Sequence, residues 1–264
     1  MNEWVKKFGR ILALPTATAI VLFGARFVAG AVQSGQPAEP EGPPITARIR
    51  IGAPLDARAC LTRYLIGTVK PPTVGVSTGP SLDAPVRWRF NRRSVQGGPQ
   101  VFLLENEAWA SNGALWYRAL LPVRPNGTFG FIQSGSLRIS ATDYHLVVNR
   151  HALRLSVWKG CEVKRRYPIG LGTKETPTPV GSFYLASLLK PPRPDTVYGA
   201  YAYGLSGYSP VIRKWRWGGI IGLHGTNHPS AVGHYVSHGC IRMRNPAIKQ
   251  LVRVLPLGTP ITIK

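Results

Sequence analysis

Residues 222–245 read GLHGTNHPSAVGHYVSHGCIRMRN, a loop of glycine, proline and polar residues that more regular structure must hold from either side. It places Ser237, His238 and Gly239 directly before Cys240, His224 sixteen positions upstream, and Arg242 and Arg244 just downstream. A free cysteine titrates near ~8.5, so a thiol that attacks near neutrality needs a base or positive charge beside it. It also needs N–H donors facing a developing oxyanion, which a glycine-containing turn presents without steric conflict. The stretch contains each of these parts, although spacing alone does not bring them together. Asn245-Pro246 then signals a helix, with Asn as N-cap and Pro at the first helical position. Ile248, Leu251, Val252 and Leu255 follow at helical spacing, which gives the helix one inward face. Gly258-Thr259-Pro260 stops it, and Ile261-Thr262-Ile263 reads as a closing strand.

Working upstream, Tyr144–Asn149 and Ala152–Trp158 are strand-like runs separated by a short turn, and Lys164–Ile169 is a third. The segment 141–264 is therefore expected to be mainly β, with one short helix behind the Cys240 loop. Before it, 45–140 also reads as short strands. Val101-Phe102-Leu103-Leu104 is a buried-strand run, and two apolar runs flank Pro125-Asn126-Gly127-Thr128, the signature of a hairpin. The part from Pro54 to Gln100 contains no clear motif. The 24 Pro and 29 Gly of the 264-residue chain favour many short strands and turns over long helices.

The N-terminal stretch speaks to compartment. Lys6, Lys7 and Arg10 precede an apolar run from Ile11 to Ala25, and Ala29-Gly30-Ala31 follows. Residues 1–32 fit either a cleaved secretory signal or an uncleaved membrane anchor in which Arg26 snorkels, and both readings stay open. Either exports the rest of the chain to the cell envelope. Residues 33–44, QSGQPAEPEGPP, carry no large apolar side chain and should act as an extended spacer. The chain carries 33 Lys and Arg against 11 Asp and Glu, a formal charge of +22, which predicts attraction to polyanions. With no zinc-finger, RNP or helix-turn-helix pattern, nucleic acid is not expected; anionic wall polymers are. Cys60 and Cys161 either pair in an oxidising compartment and leave Cys240 free, or remain two thiols.

His224-Gly225-Thr226, then Ser237-His238-Gly239-Cys240-Ile241-Arg242-Met243 with Asn245, resembles the motif of YkuD-type L,D-transpeptidases. The upstream Thr176-Pro177-Thr178-Pro179-Val180-Gly181 is similar to the same family's Thr-Pro-x-Gly segment. The string WYRALLPVRPNGTFGFI, residues 116–132, resembles the end of bacterial SH3-like domains that accompany wall enzymes. These resemblances imply a β-sandwich-like catalytic domain over 141–264, preceded by a small SH3-like β-barrel over 45–140. They imply a thioester on Cys240, formed on a tetrapeptide stem of peptidoglycan with loss of D-Ala and resolved by an amine of a second stem. His224 would be the general base and acid, His238 and Ser237 would order the site, and N–H groups around Gly239 and Cys240 would bind the oxyanion. Arg242, Asn245 and Thr226 are the expected substrate contacts. Tyr208 is the favoured member of a lid placed by the same resemblance between the Thr-Pro segment and His224. Rival readings are an L,D-carboxypeptidase in which water takes the acyl group, and a wall-binding protein without chemistry. His224, His228, His234, His238 and Cys240 also show metal-like spacings. They lie in a loop that need not bring them together, so no metal and no cofactor is expected.

Overall fold

A computed structural model describes residues 47–50 and 63–264, apart from 112 and 215. The expected signal or anchor (1–32), the spacer (33–44) and Cys60 lie outside these residues. The N-terminal sheet consists of β1 Ala47–Arg50, β2 Tyr64–Val69, β3 Thr73–Ser77, β4 Val86–Asn91, β5 Val101–Ser111, β6 Ala114–Leu120, β7 Phe129–Gln133 and β8 Leu137–Thr142. Its order is β4-β3-β7-β6-β5-β2-β8, with β1 on β5. The hairpin expected around Pro125–Thr128 forms: β6 and β7 pair antiparallel, with Leu120 opposite Phe129. Phe102, Leu104, Ala119 and Ile132 point inward and make the core of this sheet.

The second sheet follows after a single residue, Asp143, so the boundary expected between 140 and 141 falls inside β8. The strands that follow along the chain are β9 Tyr144–Asn149, β10 Arg154–Lys159 and β11 Glu162–Pro168, then a short β12 Leu171–Gly172. Next come β13 Gly181–Leu189, β14 Ala202–Tyr208, β15 Ile220–His224, β16 Tyr235–Ser237, β17 Ile241–Arg242 and β18 Pro260–Ile263. The order is β11-β10-β9-β18-β13-β14-β15-β17, while β12 and β16 form a separate parallel pair. Alternation explains β9 and β10: Leu146, Val148, Leu155 and Val157 are buried, while their neighbours turn away. β11 is an edge strand whose Lys164, Arg165 and Arg166 face solvent, and such charge deters edge-to-edge pairing.

The helix spans Asn245–Val252 and buries Ile248 and Leu251, as its periodicity predicts. Its N-cap is Arg244, however, with no side-chain cap bond. The expected cap, Asn245, uses its side chain elsewhere, as described below. The two sheets meet through a small apolar seam in which Ile66, Val101 and Leu120 pack on Tyr184 of β13. The Tyr184 hydroxyl donates to the Val101 carbonyl at 3.1 Å. Burial raises its pKa well above the ordinary phenol value, so it remains a donor.

Candidate active site

β15 brings the first half of the site. Its alternation sends Ile221 and Leu223 into the core, which leaves Gly222 and His224 on the opposite face. β17 lies parallel beside it, with Leu223 opposite Ile241 and His224 opposite Arg242. Cys240, the residue just before β17, is thereby carried alongside Gly222, whose N–H donates to its sulfur at 3.3 Å. A Cβ added at Gly222 would sit 3.3 Å from His224 Cδ2 and 3.6 Å from Cys240 Sγ. Thiol and imidazole therefore both border the space that glycine leaves open.

Burial governs the charge state of both groups. His224 is 3 % exposed. Desolvation pushes its pKa from 6.5 down to about 4, helped by the Arg242 charge and opposed by a hydrogen bond to Gly225. That bond joins Nδ1 to the Gly225 carbonyl at 2.5 Å. A carbonyl only accepts, so Nδ1 carries the proton and Nε2 keeps the lone pair. Desolvation also raises the Cys240 pKa, while the Gly222 N–H and Arg242 pull it back. The resting pair is a neutral thiol beside a neutral imidazole, so attack requires proton transfer.

The Ser-His-Gly turn shapes the nucleophile. Ser237 Oγ donates to the Cys240 carbonyl at 2.6 Å and accepts the Gly239 N–H at 3.1 Å. Ser237 is thus a buried staple across the turn, acting through Cys240, and the Gly239 N–H is not available to an oxyanion. Among the described residues no acceptor takes the Cys240 N–H, which leaves it as the donor of this turn. Gly239 itself has φ +109, and a Cβ there would reach Ile221 Cδ1 at 3.0 Å. His238 is exposed at the cavity wall next to Cys240.

The Thr-Pro segment is the shelf under this turn. Thr173 N–H and Thr176 Oγ1 both donate to the Ser237 carbonyl at 3.0 Å, and the Gly172 N–H donates to Thr178 Oγ1 at 2.9 Å. Thr176→Val removes one of the two donors while preserving shape. A net hydrogen bond of about 1 kcal/mol predicts a several-fold drop in the reactivity of Cys240 with little loss of stability. Single-turnover kinetics beside a thermal melt measures both.

A cavity of about 480 Å³ opens over Cys240 and His238, walled by Tyr198, Trp217 and Ile221. Tyr198 meets His224 edge-on, with ring centroids 5.2 Å apart. The lid residue expected at Tyr208 belongs elsewhere: its hydroxyl donates to the Pro122 carbonyl at 2.9 Å, and its ring stacks under Arg124. Tyr198 takes the position beside the imidazole. Its signal was Gly199, held at φ +62 where a Cβ would press 2.5 Å from the Gly225 carbon.

The other expected substrate contacts are also committed within the chain. Asn245 Oδ1 accepts the N–H groups of Ala200 and Thr226, at 2.9 and 3.2 Å, tying the Tyr198 loop to the His224 turn. Thr226 is buried and accepts the His228 N–H at 3.0 Å. Arg242 lies outside the cavity lining, its Nε buried without a hydrogen-bond partner among the described residues, and what reaches the site is its charge. His228 and His234 are exposed, and among the described residues no three His, Cys, Asp or Glu side chains gather as a metal site. Cys161 is disulfide-bonded and Cys240 is free.

The profile of the YkuD family, the L,D-transpeptidase catalytic domain, matches residues 143–263. The YkuD protein of Bacillus subtilis strain 168, named as an L,D-transpeptidase, is 34% identical over 151 residues, covering 55% of this chain and 84% of its own. YqjB of the same strain, also named as an L,D-transpeptidase, is 31% identical over 131 residues, covering 46% and 71%. Among solved structures, Bd1075 of Bdellovibrio bacteriovorus aligns at 30% identity and a TM-score of 0.38, covering 47% of this chain and 48% of that one. An L,D-transpeptidase from Mycobacterium smegmatis aligns at 17% identity and a TM-score of 0.38, covering 57% and 90%. With a relative matched at this identity over most of its length, the chain belongs to the L,D-transpeptidase family.

Proposed function

We propose that this protein forms 3-3 cross-links in peptidoglycan through a thioester on Cys240. The observation that carries the proposal is the Cys240 sulfur beside the Gly222 N–H at the cavity, with the His224 Nε2 lone pair on the same face of β15. In the first half-reaction Nε2 takes the thiol proton as sulfur attacks the carbonyl that precedes the terminal D-Ala. The Cys240 N–H donates to the developing oxyanion. The C–N bond then breaks, and His224 returns the proton to the departing D-Ala amine. In the second half-reaction a side-chain amine of another stem attacks the thioester, its proton passes through Nε2, and the thiol is regenerated. Protons and charge balance in both steps, because Nε2 carries the thiol proton to the departing amine and returns the incoming amine's proton to sulfur.

The apolar walls support transfer to an amine over hydrolysis, because they exclude water from the thioester. The basic composition suits an envelope location and contact with anionic wall polymers, and residues 1–32 would deliver the chain there. The test is to incubate the purified protein with disaccharide-tetrapeptide and resolve the products by mass. A cross-linked dimer lacking one D-Ala is expected. Tripeptide alone would assign the acyl group to water and overturn cross-linking, and unchanged substrate would overturn the enzymatic reading.

A further inference from the structure

We propose that Arg124, on the β6–β7 turn of the N-terminal sheet, is a positioning residue for the active-site cleft, fixing the wall segment 209–219 against which the stem peptide binds. This inference rests on reading the Cys240 cavity as the active site. The guanidinium donates to three carbonyls of that one segment: from Nη1 to Ser209 at 2.8 Å, and from Nη2 to Ile212 and Gly218, both at 3.0 Å. It also lies 4.9 Å from the centroid of the Tyr208 ring. Asn126, two residues on, accepts the Tyr208 N–H and donates to the Tyr208 carbonyl, both at 2.9 Å.

The clamped segment supplies Ser209, Ile212, Trp217 and Gly219 to the cavity wall. Its conformation is not one that these residues adopt by default. Trp217, Gly218 and Gly219 follow one another at φ 58, 69 and 79, and Trp217 carries a side chain into the left-handed region. A strained turn of this kind persists where surrounding structure holds it, and Arg124 joins its Gly218 carbonyl to those of Ser209 and Ile212. The connection from β4 to β5 touches the cleft through Gln96, which lines the cavity and is hydrogen-bonded to Ser187 of β13. The cleft is therefore walled in part by a residue outside 143–263.

The whole chain, with Arg124→Met, is assayed on disaccharide-tetrapeptide and digested briefly with trypsin. A wall that contacts ground and transition states alike changes KM, so KM should rise about tenfold while kcat stays within about twofold. Arg213 and Lys214 are exposed in the segment, and cleavage there should quicken about tenfold as the loop opens. Arg124→Lys should not restore either value, because a point charge does not span three carbonyls. A folded Arg124→Met with unchanged KM and trypsin sensitivity would overturn the proposal. So would a fall in kcat at constant KM, or full rescue by Lys. Should Arg124→Met lose its thermal transition, Asn126→Ala decides in the same way, with a smaller rise in both readouts expected and no change overturning the clamp. If wild-type protein makes no product, the proposed function fails, while the trypsin comparison still judges the clamp.

Discussion

Cys240→Ala abolishes the acyl-enzyme. After mixing with disaccharide-tetrapeptide, intact-protein mass spectrometry should show wild-type chain carrying the tripeptide adduct and the variant carrying none. Turnover should fall by at least about 10⁴-fold, since Cys240 is the one cysteine among the described residues that line the cavity. Stability should change by less than about 1 kcal/mol, because the hydrogen bond that the sulfur accepts from Gly222 is long, at 3.3 Å. Cys240→Ser should be as inactive as Ala. In serine enzymes a buried carboxylate stabilises the imidazolium, whereas here Nδ1 donates to a neutral carbonyl. Burial and Arg242 oppose the imidazolium further. So weak a base suits a thiol and not a hydroxyl. An adduct on the Ala variant, or turnover by Ser within a hundredfold of wild type, would sink the proposed nucleophile.

That cysteine was legible because its partners in the turn adjoin it in the chain: Ser237 and Gly239 act within three residues of the sulfur. The reading of His224 rests more on resemblance than on spacing. What joins it to Cys240 is the parallel pairing of β15 with β17, and strand partners leave no trace in either strand. The same limit explains Tyr208 and Tyr198. Both are tyrosines in a glycine-punctuated run, but one is captured by the neighbouring sheet and the other by the His224 turn. Asn245 looked like a helix cap because Asn before Pro usually is one; two loop N–H groups compete for its oxygen and win. β18 is the last strand in sequence, yet it inserts between β9 and β13, a topology that periodicity does not encode. In the unread stretch before Gln100, β4 does alternate, with Trp88 and Phe90 half-buried against the core and Arg87 and Arg89 out. Gly67 and Gly75 weaken the apolar signal of β2 and β3, each placed where a larger residue would press on Leu104 or Val86.

The second large effect concerns the base. With its folded pKa lowered to about 4, His224 holds the proton-accepting form above that value and loses it as pH falls through it. Because kcat/KM reports the free enzyme, it should stay nearly flat from about pH 7 to about pH 5, then drop about tenfold per unit below about 4. An imidazole left at 6.5 would instead halve the rate near that pH. His224→Gln retains an N–H that can donate to the Gly225 carbonyl but has no basic nitrogen. General-base loss predicts a fall of about 10³-fold at neutrality. The shape of the profile should change as well: attack would depend on thiolate alone, so the residual rate would climb about tenfold per pH unit until the raised thiol pKa is reached. A merely structural histidine would lower the whole curve without changing its slope. Retention of wild-type slope in His224→Gln would remove His224 from the proton path, whereas a tenfold loss of wild-type kcat/KM between pH 7 and 5.5 would overturn only its lowered pKa.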